Sequence, residues 1–231
     1  MADDQRHGRI FGVLFIITFL TSIPAYLIFE SVIGDDPPGF IGGDGRMGWL
    51  YFAIVLEFFL VLSNVGTGVV LYPIARRQNE GLAIGFVAAR IIESVFIAVG
   101  IIFVLGLVTM RVDGSGTADI AASLKDLKDW TFLLGPGLVV PFGNGLILGY
   151  LMYRSGLVPR RMAWLGLIGG PIVFFSNLGV MFDWWERDTV MILVLPEAIW
   201  ELFLGFYCAI YGFRKDSPIV RPNWRGNATA A

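Results

Sequence analysis

The chain has 231 residues, 56% of them hydrophobic and 16% charged, with a mean hydropathy of +0.71 and a formal net charge of −2. Soluble domains carry about 25% charged residues; here the apolar residues form long runs instead of alternating, which excludes a water-soluble globular domain and points to helices in lipid. The single cysteine, Cys208, excludes an internal disulfide and a cysteine-based metal cage, and the single histidine, His7, lies before the first apolar run, so bis-histidine haem and His-rich metal sites inside the membrane are excluded as well.

Six apolar spans are predicted, at 9–33, 47–75, 82–111, 128–153, 162–182 and 190–213. They form an all-α polytopic bundle of residues 9–213, between an N-terminal tail of residues 1–8 and a disordered tail of residues 214–231. The first run is long for a signal peptide and reads as a retained span. Between the first two spans lies GDDPPGFIGGDGR, a loop rich in turn formers. Before the fourth span, TADIAASLKDLKDW places Ile120, Leu124 and Leu127 on one helical face. It reads equally as a short amphipathic segment on the membrane surface or as a capped extension of the fourth span. Inside that span, GPGLVVPFGNG is too rich in proline and glycine for a regular helix interior. Such a break in lipid needs neighbours or water to satisfy the freed backbone, so this span is expected among other helices or beside a cavity.

Lysine and arginine sort by side. Arg6, Arg9, Arg76, Arg77, Arg154, Arg160, Arg161, Arg214, Lys215, Arg221 and Arg225 fall at one end of the spans, against Arg46, Arg111, Lys125, Lys128 and Arg187 at the other. The positive-inside rule then places both termini in the cytoplasm and the amphipathic segment in an exterior loop of a plasma-membrane protein. The expected partners are the lipid bilayer and a small solute or cation, with room for a homo-oligomer and no nucleic acid.

The seventeenth basic residue, Arg90, lies inside the third span three residues before Glu93. Each charge costs about 2.5–3.5 kcal/mol at a helix centre, so both need partners. Counting about 1.5 Å per residue from the basic ends, Arg90 and Asn144 lie roughly 13 Å deep, and Glu93, Asn64 and Glu201 roughly 18 Å. These five residues form a polar intramembrane layer. Glu57, Glu197 and Asn177 form an outer level, roughly 24–28 Å deep. Arg90 is expected to bridge Glu93 and a glutamate of another helix, with Glu201 the best match in depth; snorkelling toward headgroups is the alternative. Four glutamates against one arginine in low dielectric call for a proton or a cation.

Small-solute or cation binding or transport through the Glu/Arg/Asn layer is therefore one reading. A scaffold or sensor subunit, in which the Arg90–Glu pairs only fix helix packing, is the other. Catalysis ranks third: the nucleophile–base and metal-ligand constellations of an enzyme are missing, Walker, G-x-S-x-G, H-E-x-x-H and C-x-x-C motifs included, and neither catalytic residues, metal ligands nor a cofactor are assigned.

Three segments, LAIGFVAARIIES, NGLILGYLMYRSGLVPRRMAWLGLIGG and PEAIWELFLGFYCAIYGF, together resemble the bacterial membrane-protein family catalogued as domain of unknown function 4386. The resemblance runs from about Arg9 to Phe213. Its most specific pieces are Arg90-x-x-Glu93 and Tyr153-Arg154-Ser155-Gly156 with Pro159-Arg160. It implies a six-span plasma-membrane protein and no particular activity.

The orientation has a direct check. Alkaline phosphatase fused after Ala231 is expected to be inactive in a bacterial host, and green fluorescent protein fused there to be fluorescent; the reverse pattern would place the C-terminus outside.

Overall fold

The computed structural model describes residues 2–34, 36–186 and 192–220, and among these it is entirely helical, without strands. Helix α1 spans Ala2–Val32, α2 Pro37–Gly42, α3 Met47–Ala75 and α4 Glu80–Asp113. Helix α5, Ala118–Phe132, runs without a break into two wide-turn segments, Leu133–Val139 and Pro141–Leu148, and then into α6, Gly149–Ser155. Helix α7 spans Arg160–Met181 and α8 Leu195–Tyr211. Five rods are long and apolar enough to cross a membrane: Asp3–Val32, Met47–Ala75, Glu80–Asp113, Ala118–Ser155 and Arg160–Met181. The chain is thus an all-helical membrane protein. Helix α8 accounts for most of the sixth predicted span, whose first residues, 190–191, lie outside the described residues together with Arg187, Arg221 and Arg225.

The local chemistry explains the boundaries. Asn79 caps α4 by accepting a hydrogen bond from the Leu82 N–H, and Gly114 ends it in the left-handed conformation at φ 59°. Thr117 caps α5 and accepts from the Ile120 N–H. Because α5 continues directly into the apolar rod, the TADIAASLKDLKDW stretch is the capped extension and not a separate surface helix. The break expected at GPGLVVPFGNG takes the form of wide turns, in which backbone bonds reach one residue further than in an α-helix. Pro136 and Pro141 lack an N–H and clash with the preceding turn of a regular helix; widening relieves both problems without ending the rod.

Three expectations need correction. The N-terminal tail is helical from Ala2, continuous with the first span. The loop after α1 contains a helix, α2, because Asp36 caps Gly39 at 2.9 Å and Pro37 opens the first turn. Arg111 secures it by donating to the carbonyls of Gly43, Asp44 and Gly45, with its guanidinium over the Phe40 ring. The segment Arg214–Val220, expected to be disordered, folds back onto the bundle. The Arg214 N–H donates to Leu157 O at 2.8 Å, the Ser217 hydroxyl to Ser155 O at 2.7 Å, and Ile219 and Val220 are buried. Arg77 grips both termini, through two bonds to the Asp4 carboxylate at 2.9 and 3.0 Å and one to Ile219 O at 3.1 Å.

The rods close a ring: α1 packs on α3 and α8, α3 on α4, α4 on α5 and the wide-turn segments, and α7 on those segments and α8. Side chains such as Phe58, Leu62, Ile91, Ile102, Phe175 and Ile210 point outward, as lipid requires of apolar groups. Two large apolar clusters fill the interior, beside a small one at Leu133 and Val180. One, near the termini, includes Phe11, Phe15, Leu71, Phe86, Leu148, Met152, Trp200 and Leu204. The other, at the opposite end, includes Phe29, Phe40, Leu50, Val104 and Leu107. Between them lie buried polar side chains.

Arg77→Ala removes the grip on both termini. It is expected to cost about 1 kcal/mol, since Arg77 is partly exposed and screened, and to make residues 214–220 more sensitive to added protease in detergent.

Candidate functional site

Arg90 and Glu93 sit one turn apart on α4 and are almost wholly buried, at 3% and 6% exposure. Arg90 Nη1 donates to Glu93 Oε2 at 2.6 Å. Its Nη2 donates to Asn64 Oδ1 of α3. Its Nε donates to the Thr67 hydroxyl at 3.1 Å and to Asn64 O at 3.3 Å. Asn64 completes the circuit by donating from Nδ2 to Glu93 Oε1 at 2.8 Å. The guanidinium also lies 5.6 Å from the centre of the Phe15 ring of α1, a cation–π contact. Every arm of the arginine fork is therefore engaged inside the protein, and Arg90 does not snorkel. Its second partner is Asn64 with Thr67, not a glutamate of another helix. Glu201 lies within electrostatic range of Arg90, without an ion pair to it, and of the like-charged Glu93.

Across the ring, Asn144 sits in the second wide-turn segment and is 1% exposed. It donates from Nδ2 to Glu201 Oε1 of α8 at 2.6 Å, and its backbone carbonyl accepts from Trp200 Nε1 at 3.0 Å. A seam of glycines makes this approach possible. A methyl group on Gly145 would lie 2.5 Å from Gly170 Cα and 3.0 Å from Glu197 Oε1, and one on Gly166 would strike the Trp200 indole at 2.5 Å. The seam thus draws the wide-turn segment, α7 and α8 together. Glu197, of the outer level, stands one turn before Glu201 on α8, and its Oε1 faces Gly145.

The other outer residues separate. Glu57 accepts from Lys128 Nζ at 2.6 Å, and that ammonium lies 4.8 Å from the Phe29 ring centre. Asn177 donates back to Val173 O at 2.9 Å and faces Gly137. Three buried side-chain atoms lack a hydrogen-bond partner among the described residues: Glu57 Oε2, Asn144 Oδ1 and Glu197 Oε1. No group of three His, Cys, Asp or Glu side chains suited to a metal ion occurs among the described residues. Two shallow depressions, lined by Arg46, Gly48, Trp49 and Phe52 and by Leu27, Ile28, Ser31, Val32 and Gly45, lie at the end away from the termini, and neither reaches the layer.

Thr67, Lys128 and Trp200 were not singled out from the sequence. Thr67 follows Asn64 by three residues, hence on one helical face, and this spacing was a usable signal. Lys128 opens the fourth predicted span and reads only as one of the exterior basic residues. Trp200 carries no signal beyond standing next to Glu201.

The family model described as "Domain of unknown function (DUF4386)" matches residues 10–212. The chain belongs to this family. No curated protein and no solved structure matches it.

Lys128→Met strands the Glu57 carboxylate in the bundle. The single substitution is expected to cost about 3 kcal/mol in detergent unfolding, most of it regained when Glu57→Gln is added.

Proposed function

We propose that this protein is a six-span protein of the plasma membrane, with both termini in the cytoplasm, that binds a small cation or solute at an occluded site inside the bundle and passes it across the membrane. Orientation is supported by charge: among the described residues, Arg6, Arg9, Arg76, Arg77, Arg154, Arg160, Arg161, Arg214 and Lys215 lie at the end that holds the termini, against Arg46, Arg111, Lys125 and Lys128 at the other.

The observation that carries the binding reading is uneven charge compensation. Arg90 is taken by Glu93, and Lys128 by Glu57. Among the described residues, Glu197 and Glu201 have no cationic side chain bonded to them, Arg90 acting on Glu201 only at longer range, and Glu197 is 3% exposed. Carboxylates in a low-dielectric interior require a compensating positive charge, and a bound cation or proton supplies it. The burial of Glu197 favours an occluded site reached by helix movement over an open pore. The scaffold reading draws on a different observation, the complete engagement of Arg90; that network ties α3 to α4 whether or not anything binds opposite it.

Purified protein in liposomes containing trapped pH-sensitive and sodium-sensitive dyes tests the proposal. Under an imposed potassium diffusion potential, at least one dye is expected to respond faster than in empty liposomes, and Glu201→Gln is expected to slow that response about tenfold or more. Rates equal to those of empty liposomes would overturn transport in favour of the scaffold.

A further inference from the structure

Resting on the binding reading above, we propose that the ligand is a proton, and that its site is the pair Glu197–Glu201 of α8 bracketing Asn144–Gly145, while the Arg90–Glu93 pair is a packing element outside it.

The argument is one of donors and acceptors. Glu197 Oε1 and Asn144 Oδ1 are both buried, both lack partners, and both are acceptors in the ionised, neutral-amide state. They are anchored to adjoining residues: Asn144 belongs to the wide-turn segment, and Glu197 Oε1 faces Gly145. Neither oxygen has a bonded donor among the described residues, although the Gly145 N–H acts on the Glu197 carboxyl. A proton on the Glu197 carboxyl converts that group from acceptor-only to donor and removes its charge at once. Glu201 is already oriented by the Asn144 amide at 2.6 Å, so a proton passed between the two carboxyls stays within one turn of α8. A transition-metal ion fits less well, because no triad of acidic, histidine or cysteine side chains converges here among the described residues; an alkali cation would draw on oxygens and is separated from the proton by the test below.

The charges facing the pair are few. Arg90 and Glu93 of α4 interact with it electrostatically and offset one another. The wide-turn segments carry no charged side chain. Those of α7 are Arg160 and Arg161, at its first turn, and those of α1 are confined to Asp3–Arg9 and Glu30, near its ends. Uptake forms one O–H bond on a glutamate oxygen as hydronium is left as water, and release reverses it; no other bond changes. The wide turns are suited to such a site, since a lengthened turn shifts the face of a helix with less disruption than breaking it.

Infrared difference spectroscopy on the reconstituted protein, following the protonated-carboxyl stretch through a pH step in water and in deuterium oxide, reads this proton directly. A band that disappears as pH rises is expected in the wild type, absent in Glu197→Gln and shifted or absent in Glu201→Gln. It should persist in Glu57→Gln and in the double variant Arg90→Met/Glu93→Leu. Monodisperse elution of each variant in detergent establishes that it is folded, and Glu201→Gln reports on the site independently should Glu197→Gln fail to fold. A band kept in both Glu197→Gln and Glu201→Gln overturns the assignment but leaves transport standing. Displacement of the band by sodium chloride at fixed pH, and not by choline chloride, makes the ligand a metal cation and overturns the proton. A band present in protein that shows no flux in liposomes keeps the site and removes transport.

Discussion

A buried guanidinium governs the middle of this bundle. Arg90 must find its partners in protein, and it finds them in Glu93 on its own helix and in Asn64 and Thr67 on the next. Those bonds fix the rotation and the register of α3 against α4, since a shift of one residue would carry Asn64 or Thr67 off the shared face. The apolar clusters above and below can then pack without being specific, because the polar layer between them has already selected the alignment. Buried ionic groups add little net stability in general and are best understood as selecting one arrangement over others.

The opposite wall of the bundle is built by a different principle. Glycines 145, 166, 169 and 170 remove side chains where the wide-turn segment, α7 and α8 meet, so that backbone rests on backbone. Close approach brings Asn144 to Glu201 and Trp200 to the Asn144 carbonyl. It also leaves Glu197 enclosed with an unpartnered oxygen. The two walls therefore differ in chemistry. The α3–α4 wall is saturated with hydrogen bonds and electrically balanced. The α8 wall keeps two buried oxygens without a partner and, among the described residues, no cation bonded to its acids. In that contrast lies the case for binding.

Much of this was legible in the sequence, for physical reasons that can be named. Long apolar runs identify helices in lipid because the bilayer permits little else, and the depth count brought Asn64, Arg90 and Glu93 to one level because the rise of a helix is constant. Depth is blind to rotation, however. It could not tell that Arg90 turns toward Asn64 and Thr67, or that Glu197 turns toward Gly145. The pairing of Lys128 with Glu57 likewise depends on helix rotation, which depth does not give. The tail at Arg214–Val220 was misjudged as disordered because composition does not register the particular carbonyls, Leu157 O and Ser155 O, that hold it. Asp36-Pro37, by contrast, is a helix start legible within a loop rich in turn formers.

The division of the centre into a packing half and a binding half meets its most direct test in one variant, Arg90→Met/Glu93→Leu, which removes a charge pair without changing net charge. Its unfolding and its cation flux in liposomes should be measured on the same preparation, beside each single substitution. The account predicts that either single change costs about 3–5 kcal/mol by stranding a buried charge, whereas the double variant recovers most of that loss and keeps wild-type flux. A double variant that folds as well as the wild type but no longer carries the ion would contradict the division, and would place Arg90 and Glu93 in the pathway itself.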